Sequence, residues 1–291
     1  MTEVIVLDGM PVAAGLYARA VSPRSRPPVA DGLPDRVVNL VHHRCEVAEV
    51  AGYDRVCGFT LTDRLPATWL HVLTFPLQLT LLTAPDFPLA PLGMVHVSNS
   101  ITLHRPVLIT EPLELTVRAE GPRPHRRGVV VDLVGEALVA GERVFEGRST
   151  YLSRAARLEG EEHRPETDEG SRQAQPAELP TAGLWRLPSE LGRRYAAVSG
   201  DVNPIHLNPL AAKAFGLPGT IAHGMWTHAR ALAALQPRLP DSFDVSVRFS
   251  KPVRLSSTVR FAAAETSAGF AAQVTNRDAD KVFLTMDVTT R

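Results

Sequence analysis

The sequence predicts an α+β protein made of two tandem copies of one unit, each a long apolar helix wrapped by a mostly antiparallel sheet. Three observations predict it. A strand, a basic-Pro-Val corner and a further strand occur twice. The first occurrence is Ile101-Thr102-Leu103-His104-Arg105-Pro106-Val107 before residues 113–117; the second is Val247-Arg248-Phe249-Ser250-Lys251-Pro252-Val253 before residues 258–261. One apolar helix candidate precedes each set, over residues 67–83 and 223–235. A seam free of Phe, Trp and Tyr separates the copies, between Tyr151 and Trp185.

Each element follows from its residues. The two helix candidates are long apolar runs, and a sheet curling round each one would bury it. Trp69 and His71 in the first match Trp226 and His228 in the second. Strand-like runs continue over 128–140 and 143–152 in the first copy and over 270–275 and 282–289 in the second. The seam holds Glu159, Glu161, Glu162, Glu166, Asp168, Glu169, Gly170, Ser171, Pro176 and Pro180. It has too little apolar surface to order itself, so it reads as a linker. The expected division is an N-terminal domain over 1–153, a linker over 154–182 and a C-terminal domain over 183–291.

Composition narrows the function. The 291 residues are 44% hydrophobic and 21% charged, enough to bury a core. Lys plus Arg equals Asp plus Glu at 31 each, so the net charge is zero. That argues against nucleic acid as a partner, since such affinity rests on a basic surface. The lysines are only Lys213, Lys251 and Lys281, and the arginines are scattered, a skew that fits GC-rich coding. Cys45 and Cys57 make no disulfide framework, and a reducing cytoplasm is the expected compartment. The first residues lack the basic region of a signal peptide. No apolar run reaches the ~18 residues of a membrane span.

The chemistry concentrates in Tyr195-Ala196-Ala197-Val198-Ser199-Gly200-Asp201-Val202-Asn203-Pro204-Ile205-His206-Leu207-Asn208-Pro209. Asn208-Pro209 reads as a helix start, with a stop at Gly216. Asn203-Pro204 reads as a turn or extended step. Asp201 and His206 then sit on an irregular segment, on either side of a stiff bend. A carboxylate and an imidazole so placed can hold and polarise one water for proton transfer at neutral pH. The competing reading makes Asp201 and Asn203 turn formers and packs His206 under the loop. A second run, Pro218-Gly219-Thr220-Ile221-Ala222-His223-Gly224-Met225, leads into the second helix. Gly224 falls in its first turn, where N–H groups lack intrahelical partners and a ligand can come close. Such groups suit a carbonyl that gathers negative charge. The competing reading is a small residue needed for packing.

The run from Tyr195 to Ala212, with its Ser-Gly-Asp-x-Asn-Pro-Ile-His core, resembles the signature of MaoC-like dehydratases, also called R-specific or type-2 enoyl-CoA hydratases. Ile221–Met225 resembles that family too. The resemblance implies a double hot-dog fold and reversible addition of water to a trans-2-enoyl thioester. Position by position, it implies Asp201 and His206 as the catalytic pair and the Gly224 N–H as the thioester-carbonyl donor. Substrate contact is assigned to Asn203, which also holds the loop shape, to Ser199, His223 and Met225, and to Arg194 and Lys251 on a basic rim for phosphate. For His223 and His228, packing at the helix start is the reading favoured. No metal is expected, because the spacing of His206, His223 and His228 fits no zinc motif. No cofactor is expected beyond the CoA or acyl-carrier thioester that is substrate, and a homodimer is left open. The first half departs from the signature: the matching place reads Phe59-Thr60-Leu61-Thr62-Asp63-Arg64-Leu65-Pro66. One active site is therefore expected, with the first half as a wall of the acyl tunnel beside a kinked or loosened helix. An acyl-CoA thioesterase and a non-catalytic thioester-binding module are the alternatives.

Overall fold

The computed structural model describes residues 1–21, 25–160 and 177–291. The central part of the expected linker, residues 161–176, lies outside them. The first copy contains β2 (Arg36–His43), α2 (Val47–Cys57), α3 (Ala67–Leu82), β3 (Val95–Leu103), β4 (Leu113–His125), β5 (Gly128–Val139) and β6 (Glu142–Ser153). Before it come β1 (Glu3–Leu7) and α1 (Ala13–Val21). The second copy contains β7 (Thr181–Leu187), α4 (Leu191–Ser199), α5 (Pro204–Leu207), α6 (Pro209–Ala214), α7 (Gly224–Leu235), β8 (Phe243–Phe249), β9 (Ser257–Thr266), β10 (Gly269–Asn276) and β11 (Val282–Thr290). β7 begins two residues before the border expected from composition.

The strands form one sheet in the order β1-β2-β4-β5-β6-β3-β8-β11-β10-β9-β7. Read inward from its two ends, after β1, the order is the same, so β2 answers to β7 and β3 to β8. The copies join where β3 and β8 pair antiparallel, with Ser100 opposite Ser246. β1 pairs in parallel with β2 and has no counterpart among the described residues.

α3 and α7 are the buried helices. α3 keeps Leu70, His71, Leu77 and Gln78 at 2% exposure or less, and its interior Pro76 does not end it. Leu77, Leu79, Leu81 and Leu82 of this helix are ordinary core. α3 can lie close to the sheet because β5 carries Gly135, where a Cβ would meet the Thr74 side chain at 2.8 Å. Trp69 and Trp226 hold the same third position of α3 and α7, and both are buried. One apolar cluster runs from Val38 to Val288, through both copies. At about 25 cal/mol per Å² of apolar surface, this shared core is the main force holding the copies together.

Candidate active site

α4 and α7 frame the site. α4 ends at Ser199 and closes on Gly200, which takes a left-handed φ of 72°. The chain then turns sharply into Asp201. The Ser199 hydroxyl donates to the Tyr195 carbonyl at 2.8 Å and accepts from the Asp201 N–H at 3.2 Å. Ser199 therefore shapes the turn; its hydroxyl is not left for substrate. The Asn203 side chain accepts from the Ile205 N–H and caps α5, whose first residue is Pro204. His206 thus stands on a one-turn helix rather than on irregular chain, because cap and proline together fix that turn. Asn208 caps α6 as expected, accepting from the Leu210 and Ala211 N–H groups.

These turns bring the expected pair together. Ligand atoms of Asp201, His206 and His223 all lie within 4.8 Å of one another. The His206 Nδ1 lies 2.9 Å from the Ile221 carbonyl oxygen, which can only accept, so Nδ1 carries the proton. Its Nε2 is then a free lone pair in the neutral ring. The His223 Nε2 donates to the Asp201 carbonyl at 3.0 Å, and its ring stacks on His206 with centroids 3.7 Å apart. His223 does more than pack: it ties the Asp201 turn to the start of α7. With its Nε2 so used, His223 has only its unpartnered Nδ1 left as a lone-pair donor.

Burial pushes the Asp201 carboxyl up, but His223, His206 and the hydrogen bonds it accepts hold it below the usual carboxylate value. Burial lowers His206 against the opposing pull of Asp201. Burial drives His223 down to about 3. At neutral pH the site is an ionised carboxylate beside two neutral imidazoles.

Gly224 opens α7, and His223 makes no side-chain cap there. A Cβ on Gly224 would meet the Phe249 ring at 3.1 Å, so an aromatic wall is what requires the small residue. Met225 is buried in the shared core. His228 is fully buried, with burial lowering it to about 3, as packing predicts. Arg194 and Lys251 are exposed, and neither side chain hydrogen-bonds to Asp201, His206 or His223. In the first copy α2 ends at Gly58, also left-handed, and Phe59 follows where Asp201 follows Gly200. The start of α3 carries Pro66 and Ala67 where α7 has His223 and Gly224. The repeat kept the frame and lacks the acid–base groups.

Sequence reading missed Tyr17. Its hydroxyl donates to Asp201 Oδ1 at 2.5 Å from α1. The available signal was Ala13, Leu16, Tyr17 and Ala20, an i, i+3, i+4, i+7 stripe.

Two wrapped helices in one chain, with a carboxylate and two imidazoles gathered beside the second, define a double hot-dog protein equipped for acid–base chemistry. A MaoC-like domain profile matches residues 167–284. The chain is 41% identical to 3-hydroxyacyl-thioester dehydratase X of Mycobacterium tuberculosis over 244 residues, 84% of this chain and 85% of that one. The crystal structure of HtdX from the same organism superposes with a TM-score of 0.75 at 38% identity, covering 87% of this chain and 99% of that one. A MaoC-like dehydratase from Phytophthora capsici shares the fold, with a TM-score of 0.67 at 17% identity over 88% of this chain and 94% of its own. The chain belongs to the MaoC-like dehydratase family, and it is a hydro-lyase.

Proposed function

We propose that the chain catalyses reversible hydration of a trans-2-enoyl thioester to the (R)-3-hydroxyacyl thioester. Asp201 and His206 hold the water, and the Gly224 N–H polarises the thioester oxygen. The convergence of an ionised carboxylate and a neutral imidazole with a fixed tautomer carries this reading. As the water oxygen bonds C3, the pair takes one of its protons, and a proton returns to C2. The charge of the pair is unchanged at the end. The developing enolate oxygen is met by an N–H at the positive end of α7. The name of the 41%-identical relative supports a thioester substrate, and so does a 70-residue stretch 40% identical to the Saccharomyces cerevisiae fatty acid synthase subunit beta, of which it spans 3%. No helix is long and apolar enough to cross a membrane among the described residues, and we take the cytoplasm as the working compartment. The reaction as drawn needs no metal or other cofactor.

Loss of absorbance of a short enoyl-CoA, followed by chiral analysis of the product, tests the reading. Asp201→Asn and His206→Ala are each expected to lower turnover about 10²- to 10⁴-fold in a folded protein. Wild-type turnover in either variant, or an S-configured product, would refute it. Single Arg194→Ala and Lys251→Ala variants, compared on CoA and dephospho-CoA, test the basic rim. Equal affinities throughout would remove both residues from it.

A further inference from the structure

The N-terminal segment lies outside the repeated unit, yet it reaches the catalytic carboxylate. α1 docks through Ala13 and Leu16, which are buried with Leu79 of α3 and flanked by Phe75. Ala13 also lies 3.5 Å from where a Cβ on Gly200 would stand, beside the Asp201 turn. This docking delivers the Tyr17 hydroxyl to Asp201 Oδ1 at 2.5 Å. The Asn203 N–H donates to the same oxygen at 3.2 Å. Oδ2 receives neither bond; the nearest imidazole nitrogen, His223 Nε2, is 3.9 Å from it and donates elsewhere. The two carboxylate oxygens are therefore unequal: one is anchored and one is available.

We propose that Tyr17 is a positioning residue for the hydration reaction, its hydroxyl fixing Oδ1 so that Oδ2 faces the reacting water. The proposal rests on Asp201 being the working carboxylate. A hydrogen bond to an ionised acceptor is short and strong, and it restrains rotation of the carboxylate about its Cβ–Cγ bond. Burial keeps the Tyr17 phenol protonated far above neutral pH, so it remains a donor throughout the working range. The groups facing Asp201 are Tyr17 from α1, Tyr151 from β6, His96 from β3, Tyr195 from α4, His206 from α5 and His223 from the start of α7. The three imidazoles are lowered by burial, so Asp201 is the one anion in the group at neutral pH.

Tyr17→Phe removes only the hydroxyl and keeps the ring against α3. Two readouts test it. In the resting protein, the ¹³C carboxyl titration of Asp201 is expected to move to higher pH, since a donor to the charged form is lost. In hydration of crotonyl-CoA, kcat is expected to fall about ten- to hundredfold with KM changed less than about threefold, as for a bond to a charged group. The same substitution in an Asp201→Asn background is expected to add little. An unmoved titration, an unchanged kcat, or a loss carried by KM would overturn the proposal. The titration does not depend on turnover, so it separates this failure from failure of the hydratase reading. That reading falls instead if Asp201→Asn alone keeps its activity.

Discussion

Gly224 owes its identity to Phe249, whose ring carbons lie 3.1–3.3 Å from where a Cβ would be. Gly224→Ala is expected to shift the ring or the start of α7 by a few tenths of an ångström. If Gly224 is the oxyanion donor proposed above, a displacement of that size is expected to lower turnover about tenfold. Phe249→Leu in the same chain should recover part of the loss. Simple addition of the two losses in steady-state kinetics would contradict the steric account. At this scale Asp201 and His206 were legible because five positions and one Asn-Pro bend fix their relation. Tyr17 was not, because 184 positions separate it from Asp201. His223 read as packing, and only its bond to the Asp201 carbonyl revealed the second task.

α4 and α5 are held at one close contact. A Cβ on Gly192 would lie 2.1 Å from the His206 carbonyl oxygen, which is backbone and cannot yield cheaply. Gly192→Ala is therefore expected to cost roughly 1–3 kcal/mol of stability, as overpacking does. Turnover should fall with it, since α5 carries His206. The glycine inside α2, Gly52, would place its Cβ 3.6 Å from Val198, an ordinary contact. Gly52→Ala is expected to be neutral or stabilising by about 0.5–1 kcal/mol, because alanine suits a helix interior better. Thermal melts of the two variants check the contrast; equal behaviour would refute it. The long helices and eight of the ten repeated strands were legible from apolar runs and alternation. α2 was not, because it is buried through four residues only and lacks a strong apolar face. β1 and β7 are half-exposed edge strands, so their alternation is weak.

The whole molecule keeps neutral imidazoles in its interior. Burial lowers His71 to about 4 and His223 and His228 to about 3. The unfolded chain would take up these protons below about pH 6.5, and the folded chain resists. Their contribution to stability is complete above pH 6.5 and is lost as pH falls through 6.5 toward 4. Asp54 and Asp287 run the other way, since burial raises the first to about 7 and the second above its usual value, but His96, also lowered to about 3, makes four imidazoles against them. The melting temperature is therefore expected to hold between pH 7 and 8 and to fall by several degrees by pH 5. A melting curve unchanged at pH 5 would show that these rings are not buried neutral.

By itself the sequence determined the duplicated helix-and-strand pattern, the bend between Asp201 and His206, and the single occurrence of the Gly-Asp-x-Asn-Pro-x-His run. Those properties are local, set by side-chain periodicity, caps and prolines over a few residues. The tertiary structure decided what no local rule contains. It joined the copies through β3 and β8 into one sheet, used the His206 tautomer and the ring of His223 to set the pair, and carried Tyr17 from the first helix to the carboxylate. Such contacts arise when distant apolar faces bury one another, and burial is a property of the folded whole.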